Sequence, residues 1–449
     1  MNQNDEDKPA PVAATPKQAG EARDPWWWVE RSVWTERMLT RLTERESANR
    51  VWFTLVDKTY APANLQSAFA KVWRNGGSAG ADTQTVAHFA RQAEAELARL
   101  HEQVREGTYR PQPVRRAWIP KPGSQEKRPL GIPAVRDRIV QAALRHVLEP
   151  IFETEFAEHS YGFRPGRGAK DALRRVDSLL KAGHDWVVDA DLKSYFDTIP
   201  HERLLALIQA RVADGRVLAL VESFLRAGVL EESKGWEPTE RGTPQGGVIS
   251  PLLANLYLDP FDHQMARAGW EMVRYADDFV ILCRSEAEAQ AALNQVRAWV
   301  SEAGLTLHPE KTRIVNAGQP GGFDFLGYHF ERNMKWPRQK SLMKLKERLR
   351  AKTSRRDGRS LKEIIADVNR SLRGWYEYFQ HSKHPVFTMI DGYVRRRLRS
   401  LLQRRRGHVR QGIGASHHLW PNTWFAQNGL LSLAAEHQWT RTIVKLRTH

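Results

Sequence analysis

One cysteine in 449 residues, Cys283, leaves the chain without an internal disulfide and without the thiolates that a Cys₂His₂ or Cys₄ zinc site requires. No apolar run is long enough to span a membrane: the uncharged stretch Gly242 to Leu258 contains Pro, Gln and Asn, and the longer one, Gln411 to Ala435, contains Pro, Gln, Asn and two His. The opening MNQNDEDKPAPVAATPKQAG starts acidic and lacks both the apolar core of a secretory signal and the arginines of a transit peptide. The expected setting is therefore a reducing cytoplasm, with no membrane partner. Also missing are a Gly-x-x-x-x-Gly-Lys phosphate loop and a His-Glu-x-x-His pair, which excludes P-loop ATPase and zincin chemistry. There is no internal repeat.

What the chain does have is positive charge, concentrated in one place. Its 69 Lys+Arg against 52 Asp+Glu give a net charge of +17. Residues 331–410 hold 24 Lys+Arg and 7 Asp+Glu, a net of +17, and the remainder balances at 45 against 45. A merely solvated helical face interleaves both signs, so a one-sign segment points to a polyanionic partner, nucleic acid above all.

With 41% hydrophobic and 27% charged residues the chain is globular, and its length suits two or three domains at roughly 150 residues each. Residues 1–24, rich in Ala, Pro, Lys and acids, read as a disordered tail. Residues 25–110 form a helical extension leading into a first lobe. Trp26, Trp27, Trp28 and Trp34 begin it, and tryptophans at this density either dock a helix or stack on bases; docking is the expected role. A breaker cluster, Asn75-Gly76-Gly77-Ser78-Ala79-Gly80-Ala81-Asp82, interrupts the helical pattern and can bring backbone close to a ligand. Residues 111–330 change to short strands and turns. Residues 331–410 carry three basic amphipathic helices, with apolar stripes at Leu342, Leu345 and Leu349, at Leu361 through Phe379, and at Ile390, Val394, Leu398 and Leu401. Arg395, Arg396, Arg397 and Arg399 are expected to face outward from that small bundle, toward phosphates. Residues 411–449 close the chain.

Chemistry enters at Met272-Val273-Arg274-Tyr275-Ala276-Asp277-Asp278-Phe279-Val280-Ile281-Leu282-Cys283, two β-prone apolar runs meeting at adjacent carboxylates. This spells a hairpin with Asp-Asp at its tip, although turns favour Asp for backbone reasons alone. A second apolar strand, Trp186-Val187-Val188-Asp189-Ala190-Asp191, ends in carboxylates 86 residues before Asp277. Two metal ions about 4 Å apart can activate a hydroxyl and stabilise a leaving pyrophosphate when a few carboxylates converge from neighbouring strands. Asp191, Asp277 and Asp278 are the candidates.

Tyr275-Ala276-Asp277-Asp278, preceded by Arg241-Gly242-Thr243-Pro244-Gln245-Gly246-Gly247-Val248-Ile249-Ser250-Pro251-Leu252-Leu253-Ala254-Asn255, resembles reverse transcriptases, closely those encoded by bacterial group II introns. The resemblance continues through Ile119-Pro120-Lys121, Arg128-Pro129-Leu130-Gly131-Ile132-Pro133, Tyr161-Gly162-Phe163-Arg164-Pro165, Pro309-Glu310-Lys311-Thr312 and Phe325-Leu326-Gly327-Tyr328, from about residue 70 to 420. It implies a right-hand polymerase of the α/β (α+β) class: fingers, a palm with an antiparallel catalytic sheet, and a helical thumb. It also implies RNA-directed DNA synthesis, with Mg²⁺ held by Asp191, Asp277 and Asp278. Phe196 matches the aromatic steric gate that excludes a ribose 2′-OH, which predicts a DNA product. Gln245 and Gly246, with Gly247, would line the nucleotide pocket, Lys121 and Arg128 would hold the dNTP triphosphate, and Lys311 would assist the leaving group.

The stretch Leu361 to Arg406, with Leu372-Arg373-Gly374-Trp375-Tyr376-Glu377-Tyr378-Phe379, resembles the maturase-specific thumb of the same family. The implied partners are a group II intron RNA, whose splicing the protein would assist, and a DNA primer or target. Arg395, Arg396, Arg397 and Lys121 are candidate phosphate contacts. Many relatives continue into a Cys-bearing His-Asn-His nuclease, for which this chain has neither the cysteines nor the length, so a nick or a replication-fork strand is the expected primer. Two other roles fit the same motifs: a freestanding enzyme of this type used in repair or defence, and an RNA-binding maturase with a vestigial polymerase. Intact Asp191, Asp277, Asp278, Phe196 and Gln245 argue against the second.

Overall fold

The computed structural model describes residues 24–44, 50–120, 127–383, 385–407 and 414–447. Lys121 and nearly all of the tail 1–24 lie outside the described residues. By internal packing the chain divides into two units, one of Met1–Ala172, Ala190–Ile281 and Gln290–Arg313, the other of Leu173–Asp189, Leu282–Ala289 and Ile314–His449.

In the first unit the tryptophan-rich opening is docked. Trp34 is fully buried, its indole Nε1 donates to the His146 carbonyl at 3.0 Å, and its ring meets Trp52 edge-on at 5.3 Å. Trp26 packs on Trp28, while Trp27 stays half exposed. Helices follow at Glu36–Thr43, Pro62–Asn75, Val86–Arg91 and Ala93–Glu106. The breaker cluster approaches protein backbone rather than open space. A Cβ on Gly80 would lie 2.5 Å from the backbone of Ala134, and Arg115 and Arg138 donate to the carbonyls of Ala79, Gly76 and Ser78.

The helix Val135–Glu153 is buried along most of its length and carries a neutral histidine. His146 Nδ1 faces Asn64 Oδ1 at 2.7 Å and its Nε2 faces the Lys71 ammonium at 2.8 Å, so the ring donates to the amide and accepts from the lysine. Burial first, and the Lys71 charge second, hold its pKa down at about 3. A depressed value stabilises the fold above the unfolded pKa of 6.5 and is lost as pH falls toward 3. Between pH 7 and pH 5 this one group should remove about 2 kcal/mol. Asp137 and Glu155, raised by burial to about 6 and about 7, act in the opposite sense. Comparing urea midpoints of wild type and His146→Gln at both pH values isolates the histidine; an unchanged difference between the two proteins would rule this out.

Strands β1 (Val114–Pro120) and β2 (Lys127–Ile132) pair antiparallel, Arg115 opposite Ile132 and Ile119 opposite Arg128. Two more strands follow, β3 (Trp186–Asp191) and, after the helix Gly215–Leu225, β4 (Val229–Glu231). With β5 (Gly235–Glu237) the first sheet runs β2-β1-β4-β5. The helix Ser250–Arg267 leads into β6 (Glu271–Tyr275) and β7 (Asp278–Cys283), and with β8 (Arg313–Asn316) the second sheet has the order β6-β7-β3-β8. Cys283, at the end of β7, is buried, which pushes its thiol up to about 12 and leaves it inert.

The second unit contains β9 (Phe323–Phe325), β10 (Tyr328–Glu331) and β11 (Met334–Pro337), an antiparallel sheet in the order β11-β10-β9. Its helices Gln339–Lys352, Leu361–Phe379 and Pro385–Arg405 bury the leucine stripes that their periodicity predicts. Ser360 and Glu363 form a reciprocal capping box that starts the middle helix. Tyr328 and Tyr378 lock sheet to helix, each hydroxyl donating to a carbonyl of the other's segment: Tyr328 to Tyr378 at 2.7 Å, Tyr378 to Leu326 at 2.8 Å.

The outward arginine row needs correction. Arg399 is buried and donates to the Trp420 carbonyl and Asn422 Oδ1, both at 2.9 Å. Arg397 turns back onto Thr353, donating to its Oγ1 at 3.1 Å and its carbonyl at 2.8 Å. The reason is packing: the carbonyls at a neighbouring helix end need donors, and a long guanidinium supplies them. Arg396 remains exposed, beside the Tyr393 ring, and Arg395 is partly exposed. Helices joined to strands in this way give the mixed α+β class expected. Among the described residues no helix is long and apolar enough to cross a membrane.

Candidate active site

Tyr275 and Asp278 end and begin two neighbouring strands, so Ala276-Asp277 is a two-residue hairpin turn. Ala276 has φ +60°, a conformation that costs a non-glycine residue roughly 1–2 kcal/mol and must be held from outside. Two neighbours hold it. Arg274 is fully buried and donates to the Ala276 carbonyl at 2.9 Å. Its other donors go to Asp262 Oδ1 at 2.7 Å and to Asp262 Oδ2, to Asn255 Oδ1 at 3.1 Å and to Ser160 Oγ at 2.7 Å. Burial works against this charge, and the Asp262 carboxylate more than compensates, raising its pKa.

The second neighbour is the Tyr161-Gly162-Phe163-Arg164-Pro165 segment, which runs beside β6. Tyr161 N donates to the Arg274 carbonyl at 2.9 Å, and Arg274 N donates to His159 at 3.0 Å. Gly162 lies directly on the turn, where a Cβ would come within 2.3 Å of Ala276 N. The glycine is therefore required by close backbone approach, with its φ in an ordinary range.

Asp277 is the turn's second residue and Asp278 the first of β7, both partly buried. Asp191 ends β3. Burial raises the Asp277 pKa, as does the nearby Asp191 charge, while Arg128 and Lys311 oppose the rise. Asp191, Asp277, Arg128 and Lys311 thus share one electrostatic neighbourhood. The Lys311 ammonium is bonded to Asp191 Oδ2 rather than free for a nucleotide. Among the described residues no three His, Cys, Asp or Glu side chains form a ready-made metal cluster. A pair of repelling carboxylates is nonetheless a fitting magnesium donor set, because that ion keeps waters and takes one or two carboxylates together with substrate phosphates.

Phe196 sits in the helical turn Tyr195–Thr198, entered through Ser194 at φ +50°. Tyr195 anchors that turn, its hydroxyl donating to the Ala254 carbonyl at 2.5 Å, and Phe196 meets the Phe163 ring edge-on at 6.4 Å. The Arg241–Gly247 loop is clipped to the same turn: Thr243 N donates to the Phe196 carbonyl and Gly242 N to Ile199, both at 2.7 Å. At its other end Gly131 N of β2 donates to the Gln245 carbonyl at 2.7 Å, and a Cβ on Gly246, at φ +113°, would lie 2.5 Å from Gly131 O. Phe196, Gln245, Gly131, Arg116 and Trp118 line one cavity of about 520 Å³, which none of the three aspartates lines. Gln245 does not cap the helix that follows; the buried Gln141 does related work, its Oε1 accepting from Val248 N at 2.8 Å. Sequence reasoning missed Arg274, Gln141 and Arg116. Arg274 left a signal, a lone charge within an apolar strand, which always demands a buried partner.

The profile of the reverse transcriptase (RNA-dependent DNA polymerase) family matches residues 119–330, and that of the group II intron maturase-specific domain matches residues 342–419. Protein YkfC of Escherichia coli K12 is 36% identical over 276 residues, covering 53% of this chain and 71% of that one. The group II intron-encoded protein LtrA of Lactococcus lactis subsp. cremoris is 30% identical over 363 residues, 66% of this chain and 59% of LtrA. An uncharacterized 91 kDa protein in the cob intron of Schizosaccharomyces pombe is 33% identical over 46% of this chain and 32% of its own length. With both domain types in their expected order and this coverage of its relatives, the chain belongs to the group II intron reverse transcriptase and maturase family.

Proposed function

We propose that this protein is an RNA-directed DNA polymerase that uses Mg²⁺ and that also binds a group II intron RNA to assist its splicing and mobility. The observation that carries the polymerase reading is that Asp191 ends β3 while Asp277 immediately precedes β7, its neighbour in the sheet, with Lys311 paired to Asp191. Asp191 and Asp277 would hold the ions, with Asp278 beside them. Bound magnesium would supply Lewis acidity toward the triphosphate and a more acidic primer 3′-hydroxyl. The chain's own part is positioning and charge: Arg128, with Lys121, neutralises the triphosphate, and the Gln245-Gly246 backbone, pinned to β2, fixes the pocket wall. Arg395 and Arg396 would contact RNA phosphates, and the +17 charge of residues 331–410 supports RNA binding by that segment. RNA, a DNA primer and dNTPs are the partners.

Phe196, whose carbonyl accepts from Thr243 N, would exclude the 2′-OH of a ribonucleotide. Removing the ring in Phe196→Ala should lower discrimination against ribonucleotides by at least roughly tenfold, the scale of a lost packing contact in a selective pocket. Single-nucleotide incorporation of dNTP and rNTP on a primed RNA template reads this out. Unchanged discrimination would remove Phe196 from that role.

A further inference from the structure

The acidic pair already has a cation. Lys311 reaches Asp191 Oδ2 across 120 residues of sequence, from a segment stitched to the end of β3. Lys193 N donates to the Thr306 carbonyl and His308 N to the Asp191 carbonyl, both at 2.8 Å, and Leu192 bridges Leu307. Lys311 N and Thr312 N both turn back to the His308 carbonyl, at 3.2 and 3.1 Å, which fixes where the lysine leaves the backbone. The Lys311 side chain is 58% exposed, against 25% for Asp191. The lysine stem is therefore the more solvated of the two partners. Two carboxylates at neighbouring strand ends repel, and one ammonium halves their net charge.

We propose that Lys311 is the resident counter-cation of this site: it holds Asp191 while no divalent ion is bound and yields that oxygen when one enters. Metal binding is then an exchange of an ammonium for a dication at Asp191 Oδ2, with no covalent bond made or broken. The exchange lowers metal affinity below that of the bare acidic pair and keeps the pair from splaying apart before substrate arrives. This rests on the reading of Asp191 as a metal-holding residue. Lys311 acts here through Asp191 and is a positioning residue.

The test is Mn²⁺ binding to the full chain, without nucleic acid or nucleotide, followed by electron paramagnetic resonance of the free ion. Lys311→Gln should bind Mn²⁺ about two- to fivefold more tightly than wild type, the range set by a largely solvent-exposed ion pair. Lys311→Arg, which keeps the charge, should return affinity to the wild-type value. A misfolded chain would bind Mn²⁺ independently of Asp191, so the double variant Lys311→Gln/Asp191→Asn, expected to lose the gain, keeps the result informative even if Lys311→Gln is less stable. Equal or weaker binding by Lys311→Gln, with binding lost in Asp191→Asn, would overturn the exchange and leave the acidic site standing. Undiminished binding by Asp191→Asn would instead sink the acidic site, and the exchange with it.

Discussion

Asp277→Asn should reduce DNA synthesis by about a hundred- to a thousandfold while leaving RNA affinity within about twofold. The first figure is the scale of losing one preorganised electrostatic contact to a developing charge. The second follows from position: Asp277 sits in a hairpin turn of the first unit, whereas the one-sign basic segment 331–410 belongs to the second. The substitution is nearly isosteric, and the turn's conformation depends on Arg274 and Gly162, so geometry should survive while charge is lost. Filter binding of a structured intron RNA beside primer extension separates the two effects. Equal loss of both would mean that the carboxylate serves folding or RNA contact rather than metal.

Arg274→Met should destabilise the first unit by about 3–5 kcal/mol, because it strands the Asp262 carboxylate in a buried site without its partner. The loss exceeds that of an ordinary surface ion pair, since both side chains are almost wholly buried. It should also slow synthesis, for Ala276 would lose the donor that holds its carbonyl. The double variant Arg274→Met/Asp262→Leu should recover a large share of the stability, because a buried pair replaced by apolar groups leaves no unpaired charge. Urea unfolding of the three proteins measures this. A double variant no more stable than Arg274→Met would show that the hydrogen bonds to Asn255, Ser160 and Ala276 outweigh the ion pair.

Local patterns made much of this legible. Apolar runs ending in acids located β3, β6 and β7, because a buried strand has few reasons to end in charge. Leucine and aromatic periodicity located the helices Gln339–Lys352, Leu361–Phe379 and Pro385–Arg405, because one face of each is buried. What the chain hid were choices settled by distant partners. Nothing near Lys311 announces Asp191, which is 120 residues away. The positive φ of Ala276 goes against local preference and exists only because Arg274 and Gly162 hold it. Arg397 and Arg399 look like their neighbours Arg395 and Arg396, yet carbonyls elsewhere in the second unit draw them inward. Charge counting finds a basic segment but cannot assign its individual arginines.

Asp191 and Asp277 should together make a working RNA-copying site. Primer extension on an annealed RNA template, with dNTPs and Mg²⁺, tests it most directly. Wild type should make long cDNA, and Asp277→Asn only traces. Tight RNA binding by wild type with no cDNA at any Mg²⁺ concentration would contradict it.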